Sequence, residues 1–369
     1  MAAPRNPEVD LLRSFALVGI CIVNLPILAL YDAPEPLREP TGLDEIVYFA
    51  NVWLLEGKVF PLFAFMFGWG IVGQQAAALR DGQSFARRYA RRLFGLLVLG
   101  VLHALFVYTG DILVLYALLG LLIWPFLGWS GQRLVRLALA MVPVAALAYV
   151  ALGSLYLIEF GDMPEGPDIV TFMDAVAYRQ IDWPITFSFV VLFNGPAAFA
   201  AFCLGLAGAR AGLLQQDNPH YLWLRRKIIP ITLAGLTLSL GYAIAEANLT
   251  PETPDWSAVA GMALGPLGAL FLSTAYLVAI VELARRVHFP QAFVATGKSS
   301  LTTYVLQGLI GGVLVSGYGL GLGALMGSAG YLVTALAVCL ATMLFARVWQ
   351  IWFRRGPLEE VLRAITGSR

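Results

Sequence analysis

Seven long tracts of this chain carry no charged side chain, and they restrict the fold more than any other feature. No Asp, Glu, Lys or Arg occurs in residues 14–31, 59–79, 112–132, 183–209, 228–245, 256–281 and 299–346. A helix of roughly 20 apolar residues crosses a hydrocarbon core of about 30 Å. Each tract is long enough for such a helix, and the last is long enough for two. We therefore predict an all-α, polytopic membrane protein.

The composition agrees with a membrane protein and argues against other classes. Hydrophobic residues make up 59% of the chain and charged residues 13%, with a mean hydropathy of +0.76. Soluble domains carry about 25% charged residues. The net charge of +1 gives no general attraction for nucleic acid. The three cysteines lie inside apolar tracts without CxxC spacing, so we expect neither a disulfide framework nor a metal site.

Loop charges support about ten membrane crossings within a single integral membrane domain, residues 1–369. Lys and Arg concentrate in cytoplasmic loops, and here every second connection is basic, as in residues 80–92 with five arginines. The alternate connections are acidic: residues 32–57 hold six acids and one Arg. Both termini are therefore predicted to be cytoplasmic. The predicted spans are 11–31, 58–79, 92–109, 111–128, 134–158, 184–212, 228–247, 257–282, 299–317 and 329–353.

Three segments outside the spans have their own predicted structure. Residues 42–56 read as an amphipathic helix lying at the outer interface. Residues 160–182, with five acids and one Arg, are predicted to form an outer loop that covers the extracytoplasmic side. Residues 354–369 form a basic cytoplasmic tail.

The stretch GVLHALFVYTGDILVLYALLG, residues 100–120, places two ionisable side chains in apolar surroundings. Counting about 1.5 Å per residue from Arg92, His103 lies roughly 16 Å deep and Asp111 at the outer boundary. Intramembrane ionisable residues mark functional sites by default, and a carboxylate beside an imidazole suits acid–base catalysis. Two structural alternatives remain open: an interhelical hydrogen bond for His103 and a helix N-cap for Asp111.

Three further groups of polar residues lie at or inside the spans. Arg13 lies three residues after Asp10 at the inner boundary. These two residues are also typical of a charged helix start. Asn24 lies in the middle of the same span. Lys58 either extends its ammonium group to the outer interface or binds an anionic group. The segment GKSSLTTYVLQG opens a span with a lysine and hydroxyls. A helix N-terminus of this kind suits a phosphate, although capping and packing explain it equally well.

Several motifs, in this order, resemble the YeiB-like family of bacterial membrane proteins. They are DLLRSFALVGICIVN, LFAFMFG, GDILVLYA preceded by a histidine, SLTTYVLQG and WQIWFRRGPLEEVLRAIT. The resemblance extends from about residue 8 to residue 366. The departures from the family pattern are Ser14, Ala64, Thr303, Gly308 and Leu362.

The YeiB-like family looks related to transmembrane acyltransferases such as heparan-α-glucosaminide N-acetyltransferase. This resemblance implies an acyltransferase-like bundle in the bacterial inner (cytoplasmic) membrane. The donor would be cytosolic acyl-CoA, with acetyl-CoA the simplest case and no metal, and the acceptor a small molecule or glycan on the far side. His103 would be the catalytic base or transient acyl acceptor, oriented by Asp111, and a cavity would lead to it from the cytoplasmic face.

The predicted donor-binding residues are Arg13, Arg91, Arg92, Lys298, Thr302 and Thr303, and the predicted acceptor-binding residues are Asn24, Lys58, Tyr304 and Gln307. Membrane lipids are expected partners and nucleic acid is not, and a homodimer is one open assembly state. Two other functions stay open. Polar intramembrane residues and glycine-interrupted spans also suit a small-molecule transporter or exporter, and a non-catalytic scaffold would use the polar residues only for helix packing.

Overall fold

The computed structural model describes residues 7–34, 36–159, 169–250 and 255–367, and within these ranges it contains helices and no strands. Two short 3-10 helices, Trp124–Phe126 and Leu322–Leu325, interrupt the connections. The α-helices of the described ranges are α1 (Pro7–Asp32), α2 (Gly42–Leu54), α3 (Val59–Arg80), α4 (Phe85–Phe106), α5 (Leu113–Leu122), α6 (Gly131–Glu159), α7 (Phe172–Arg210), α8 (Pro219–Arg226), α9 (Ile228–Ala247), α10 (Trp256–Gly261), α11 (Leu264–Arg286), α12 (Gln291–Lys298), α13 (Ser300–Val315), α14 (Ser328–Trp352) and α15 (Pro357–Thr366).

The prediction of a polytopic helical membrane protein is confirmed. Among the described residues, eight helical segments are long and apolar enough to cross a membrane. The shorter apolar helices α5 and α13 have 10 and 16 residues and coincide with the predicted spans 111–128 and 299–317. At 1.5 Å per residue they measure about 15 and 24 Å, less than the roughly 30 Å of a hydrocarbon core. The ten predicted spans thus correspond to eight long helices and two short ones.

The predicted outer loop at 160–182 requires a correction. Helix α7 begins at Phe172 and continues for 39 residues, so it starts twelve residues before the predicted span 184–212. A capping box explains the early start: Thr171 Oγ1 accepts the Asp174 N–H at 3.2 Å, and Asp174 Oδ2 accepts the Thr171 N–H at 2.7 Å. Residues 160–168 of the predicted loop lie outside the described residues.

The structure has a helix both in the segment 42–56, where one is predicted, and in the predicted tail 354–369. Helix α2 occupies Gly42–Leu54, while its location at the outer interface stays a prediction. Helix α15 in the tail packs against α4 and α13. Its Leu362 is buried, and a Cβ on Gly95 of α4 would lie only 2.7 Å from Leu362 Cδ1. The tail is therefore docked on the helical bundle.

Helix α1 packs against several other helices. It contacts α3, α11, α12, α13 and α14, and at Gly297 of α12 a Cβ would collide with the Asp10 carbonyl. Ser14, which replaces a glycine of the family pattern, donates a hydrogen bond to the Phe293 carbonyl at 2.7 Å. This packing brings α1, α12 and the start of α13 together at the end of the bundle that is predicted to be cytoplasmic.

Candidate active site

The structure brings His103 and Asp111 into contact. His103 lies in the last turn of α4, and Asp111 lies in the connection that leads to α5. His103 Nδ1 is 2.9 Å from Asp111 Oδ1, and the two side chains are only 2% and 0% exposed. Gly100 makes this possible, because a Cβ there would lie 2.7 Å from Val114 N and 2.9 Å from Asp111 Oδ2. A larger residue at position 100 would hold α5 away from α4.

Asp111 also caps helix α5. Its Oδ2 accepts hydrogen bonds from Leu113 N at 2.8 Å and Val114 N at 3.0 Å, which satisfies two N–H groups that have no partner within the helix. The capping alternative is therefore compatible with the contact to His103, because a different carboxylate oxygen serves each. The cap fixes the carboxylate in place and turns Oδ1 toward the imidazole.

Tyr304 from helix α13 packs against the same pair. Its hydroxyl is 3.4 Å from Asp111 Oδ1 and accepts the Ile112 N–H at 3.4 Å. Its ring centroid lies 5.0 Å from that of His103, with the two planes tilted by 39°. Tyr304 thus joins α13 to the His103–Asp111 pair.

The second ring nitrogen of His103 borders a small cavity. His103 Nε2 is buried and has no well-aligned hydrogen bond to any described residue, and the same holds for Gln307 Oε1. The cavity measures about 20 Å³, and its lining includes both side chains and Asn24 of α1. A space of this size, with a few polar groups in mostly apolar walls, fits about one water molecule.

Gly308 keeps the Nε2 side of the imidazole open. A Cβ at this position would lie 3.0 Å from His103 Nε2 and 2.9 Å from Val107 Cγ1. The wide cavity expected to lead from the cytoplasmic face to His103 is not found here. His103 is 3% exposed, and the cavity at its Nε2 side is too small to form such a passage among the described residues.

The helix N-terminus predicted to hold a phosphate is occupied by the protein itself. Glu359 of α15 accepts the N–H groups of Leu301 at 2.7 Å and Thr302 at 3.3 Å through Oε1. Thr302 Oγ1 donates to Glu359 Oε2 at 2.6 Å and accepts the Leu358 N–H at 3.0 Å. The anion at the start of α13 is thus a carboxylate of the chain, which corrects the prediction of an open phosphate site at Thr302.

The other predicted donor-binding residues are only partly brought together. Arg13 lies 3.4 Å from Asp10 Oδ1, and its side chain is 26% exposed. Arg92 is half-buried, 5.7 Å from the ring centroid of Phe67, and the charges of Arg13 and Glu359 both act on it.

Three further predicted donor-binding residues form no hydrogen bond or ion pair with Glu359 within the described residues. Arg91 is exposed, beside Gly367 at the end of α15. Lys298 is half-buried at the end of α12, and Thr303 is fully buried with a hydroxyl that has no hydrogen-bond partner among the described residues. Among these residues, Arg92 is the one on which the Glu359 charge is seen to act.

Lys58 lies in a different part of the core, so its expected extension to the interface is wrong. Its side chain is 1% exposed, its Nζ donates to the Val52 carbonyl at 2.6 Å, and it lies 5.0 Å from the ring centroid of Tyr242. Glu56 supplies a nearby opposite charge. None of these partners lines the cavity at His103, so Lys58 is not part of the candidate site. Asn24, Tyr304 and Gln307 do line that cavity.

A buried ion pair between Asp32 and Arg179 was missed in the sequence. The two side chains are 2% and 1% exposed, and Arg179 Nη2 donates to Asp32 Oδ2. Arg179 also donates to the Tyr318 hydroxyl at 3.3 Å, so the pair connects the end of α1, the start of α7 and the glycine-rich turn before α14. The sequence signal was Arg179 itself, the one basic residue of an acidic connection.

Sequence comparisons extend the similarity beyond the motifs. Residues 208–369 match the family model described as "Protein of unknown function (DUF418)". The chain is 28% identical to the "Uncharacterized protein YxaH" of Bacillus subtilis (strain 168), with 97% of this chain and 93% of that protein covered. It is 27% identical to the "Uncharacterized protein YeiB" of Escherichia coli (strain K12), with 98% and 96% covered. A relative from Bacillus acidopullulyticus, the "Uncharacterized 39.9 kDa protein in amylase 3'region", is 27% identical with 99% and 94% covered.

Proposed function

From the match of residues 208–369 to the DUF418 family model and the similarity to YeiB over nearly the whole chain, we propose that this chain is a YeiB-like membrane protein and a transmembrane acyltransferase. The proposed reaction moves a small acyl group, in the simplest case acetyl, from cytosolic acyl-CoA to a hydroxyl or amine on the far side of the membrane. One observation carries the proposal: His103 and Asp111 form a fully buried pair at 2.9 Å, and His103 Nε2 borders a small cavity that Asn24 and Gln307 also line.

The pair suits a general base. Nδ1 lies 2.9 Å from Asp111 Oδ1, although the two are not aligned for a full hydrogen bond in the described conformation. Alignment in the reacting complex would hold the proton of the neutral imidazole at Nδ1, so that Nε2 keeps its lone pair. An acceptor hydroxyl or amine at the cavity would give its proton to Nε2, and the carboxylate would stabilise the imidazolium that forms. The interaction is strong because the surroundings are apolar and exclude water. Asp111 would orient the imidazole and stabilise its protonated form, and His103 would move the proton.

The described conformation does not accommodate acyl-CoA. A cavity of about 20 Å³ is too small for an acyl group, and Glu359 fills the N-terminus of α13. The proposal therefore requires a second conformation, in which packing around His103 opens toward the predicted cytoplasmic end. Arg13 and Arg92 are the cations best placed there to meet an anionic donor. The overall exchange of a thioester for an ester or amide, with release of a thiol, needs no oxidant or reductant.

The test is acyl transfer by the purified protein. Protein in detergent is incubated with radiolabelled acetyl-CoA and a membrane extract, and both thiol release and label transfer to the extract are measured. We expect His103→Gln to lower transfer by about 10²–10⁴-fold, the usual contribution of a general base. His288→Gln is the matched control, because His288 is exposed between α11 and α12, and it should keep the wild-type rate.

Asp111→Asn separates the charge from the cap. The amide oxygen still accepts the N–H groups of Leu113 and Val114, so the fold is kept, while the charge beside His103 is lost. We expect a reduced rate with unchanged thermal unfolding. A folded His103→Gln protein with the wild-type transfer rate would contradict the proposal, and counterflow of an unmodified solute in proteoliposomes would favour a transporter.

A further inference from the structure

A large apolar cleft lies apart from the His103 cavity. It measures about 870 Å³ and is formed by helices α3, α6, α7, α8 and α11. It shares no lining residue with the cavity at His103. The proposed acyl transfer at His103 therefore does not explain it.

Small side chains on α7 create the space. Ala197, Ala200, Ala201, Ala207 and Gly208 line one wall of the cleft. Their spacing of three, four, seven or more residues places them on one face of the helix. Helix α6 packs directly against α7 and extends this wall with Val135, Met141, Val142 and Ala145. The opposite wall carries Pro266, Ala269 and Leu270 of α11, which hardly touches α7. Between these walls lies a long channel whose surface is almost entirely hydrocarbon.

One end of the cleft is polar and positively charged. Ser130, Gln132, Arg136, His220 and Trp223 line it there. Arg136 and His220 are exposed, and neither side chain forms an ion pair or hydrogen bond with another residue of the described ranges. This contrasts with Arg210 nearby, whose guanidinium donates to the carbonyls of Trp129 and Leu127. An uncommitted guanidinium group and an uncommitted imidazole therefore lie at the mouth of an apolar channel.

The dimensions match one lipid chain. From Gln132 to Ala145 the lining of α6 rises by thirteen residue steps, or about 20 Å at 1.5 Å each. One leaflet of a hydrocarbon core of about 30 Å is about 15 Å deep. The mouth lies in a connection that is predicted to be cytoplasmic, where the leaflet surface is anionic.

We propose that this cleft binds one anionic glycerophospholipid of the inner leaflet. An acyl chain lies between α11 and the wall formed by α6 and α7, and the phosphate lies against Arg136 and His220. The charge of the mouth selects an anionic headgroup, while the apolar walls accept the chain. This site is independent of the acyl transfer proposed at His103.

Native mass spectrometry of the full-length protein tests this site. After purification in a delipidating detergent, the protein is titrated with phosphatidylglycerol or with phosphatidylethanolamine of the same chain length. We expect one bound lipid with a preference for phosphatidylglycerol of roughly fivefold, because one arginine near an anionic surface contributes about 1 kcal/mol. Arg136→Gln should remove the preference. Arg133→Gln is the matched control: Arg133 is exposed on the same turn and does not line the cleft, so the preference should stay.

A second variant tests the apolar part of the cleft. Ala197 is half-buried and lines the cleft, and Ala197→Phe should fill it and weaken binding of both lipids. Should this variant fail to fold, the comparison of Arg136→Gln with Arg133→Gln still tests whether the cleft selects an anionic headgroup. Three results would overturn the proposal. They are equal binding of both lipids by the wild type, equal effects of the two arginine variants, and a dimer without bound lipid.

Discussion

The carboxylate of Glu359, on the C-terminal helix α15, accepts hydrogen bonds from the hydroxyl and the N–H group of Thr302 in the first turn of α13. It lies where a helix N-terminus attracts an anion. Gly356 permits the approach, because a Cβ there would collide with the Glu359 carboxylate and the Thr302 hydroxyl. The C-terminal tail is therefore fixed to the end of the bundle that is predicted to bind the acyl donor.

Removing this carboxylate should release the tail. For Glu359→Ala we expect faster amide hydrogen exchange across residues 357–366, because hydrogen bonds to a charged group contribute about 1.5–3 kcal/mol. Glu360→Ala is the control: Glu360 is 44% exposed and pairs only with Arg355 and Arg363 of the described residues, so exchange should change little. Equal protection in wild type and Glu359→Ala would show that the contact does not hold α15.

The same variant bears on the predicted donor site. With the carboxylate gone, the N–H groups of Leu301 and Thr302 are free to meet an external anion. We expect Glu359→Ala to bind coenzyme A more tightly than the wild type in isothermal titration calorimetry. Unchanged affinity in a folded variant would place the donor elsewhere than at the start of α13.

Gly308→Ala should block the Nε2 side of His103. The added methyl group would lie 3.0 Å from Nε2 and 2.9 Å from Val107 Cγ1, and overpacking of this kind costs about 1–3 kcal/mol. We expect loss of acyl transfer with a modest decrease in thermal stability. Gly73→Ala on α3 is the control, since a Cβ there meets no atom within 4 Å and alanine favours the helix. Full activity of Gly308→Ala would contradict access through this side.

The buried pair of Arg179 and Asp32 should be needed for stability. Arg179→Met leaves a carboxylate that is 2% exposed without its opposite charge, and breaking such a pair costs about 3–5 kcal/mol. Arg88→Met, which removes the more accessible pair with Asp81 at 2.6 Å, should cost at most about 1 kcal/mol. Thermal unfolding in detergent measures both. Adding Asp32→Leu to Arg179→Met should recover much of the loss, because two apolar residues replace the pair.

The predicted orientation has a direct measurement. Reporter fusions that are active on only one side of the membrane, placed at residue 369 and in the connection near residue 129, should both report the cytoplasm, because Arg133 and Arg136 follow that connection. A fusion near residue 170 should report the opposite side. A C-terminal reporter active only outside would reverse the whole assignment.

The helical membrane fold could be predicted from the sequence because it depends on local properties. A charge-free tract crosses a membrane as a helix because no other element satisfies its backbone polar groups in lipid. The positions of the long helices therefore followed from runs of apolar residues. Helix starts were less predictable: the capping box at Thr171 and Asp174 extended α7 into a segment whose charges suggested a loop.

The His103–Asp111 contact was within reach of the sequence because the two residues are close in the chain. A tight connection between two helices was enough to predict that their side chains approach each other. The contacts of Lys58, Arg179 and Glu359 could not be predicted in this way. Each is a charged residue near a predicted span end, where exposure to water is the usual outcome. Arg179 and Glu359 are instead paired with distant parts of the chain, and Lys58 is buried beside the distant ring of Tyr242.

The sequence by itself determined which segments are helical, which are apolar and where ionisable residues interrupt them, because hydropathy and helix caps act over a few residues. Only the tertiary structure decided which polar groups satisfy one another. Arg179 reaches Asp32 across 147 residues and Thr302 reaches Glu359 across 57. A buried charge is stable only beside a partner, and the packing of distant helices decides which partner that is.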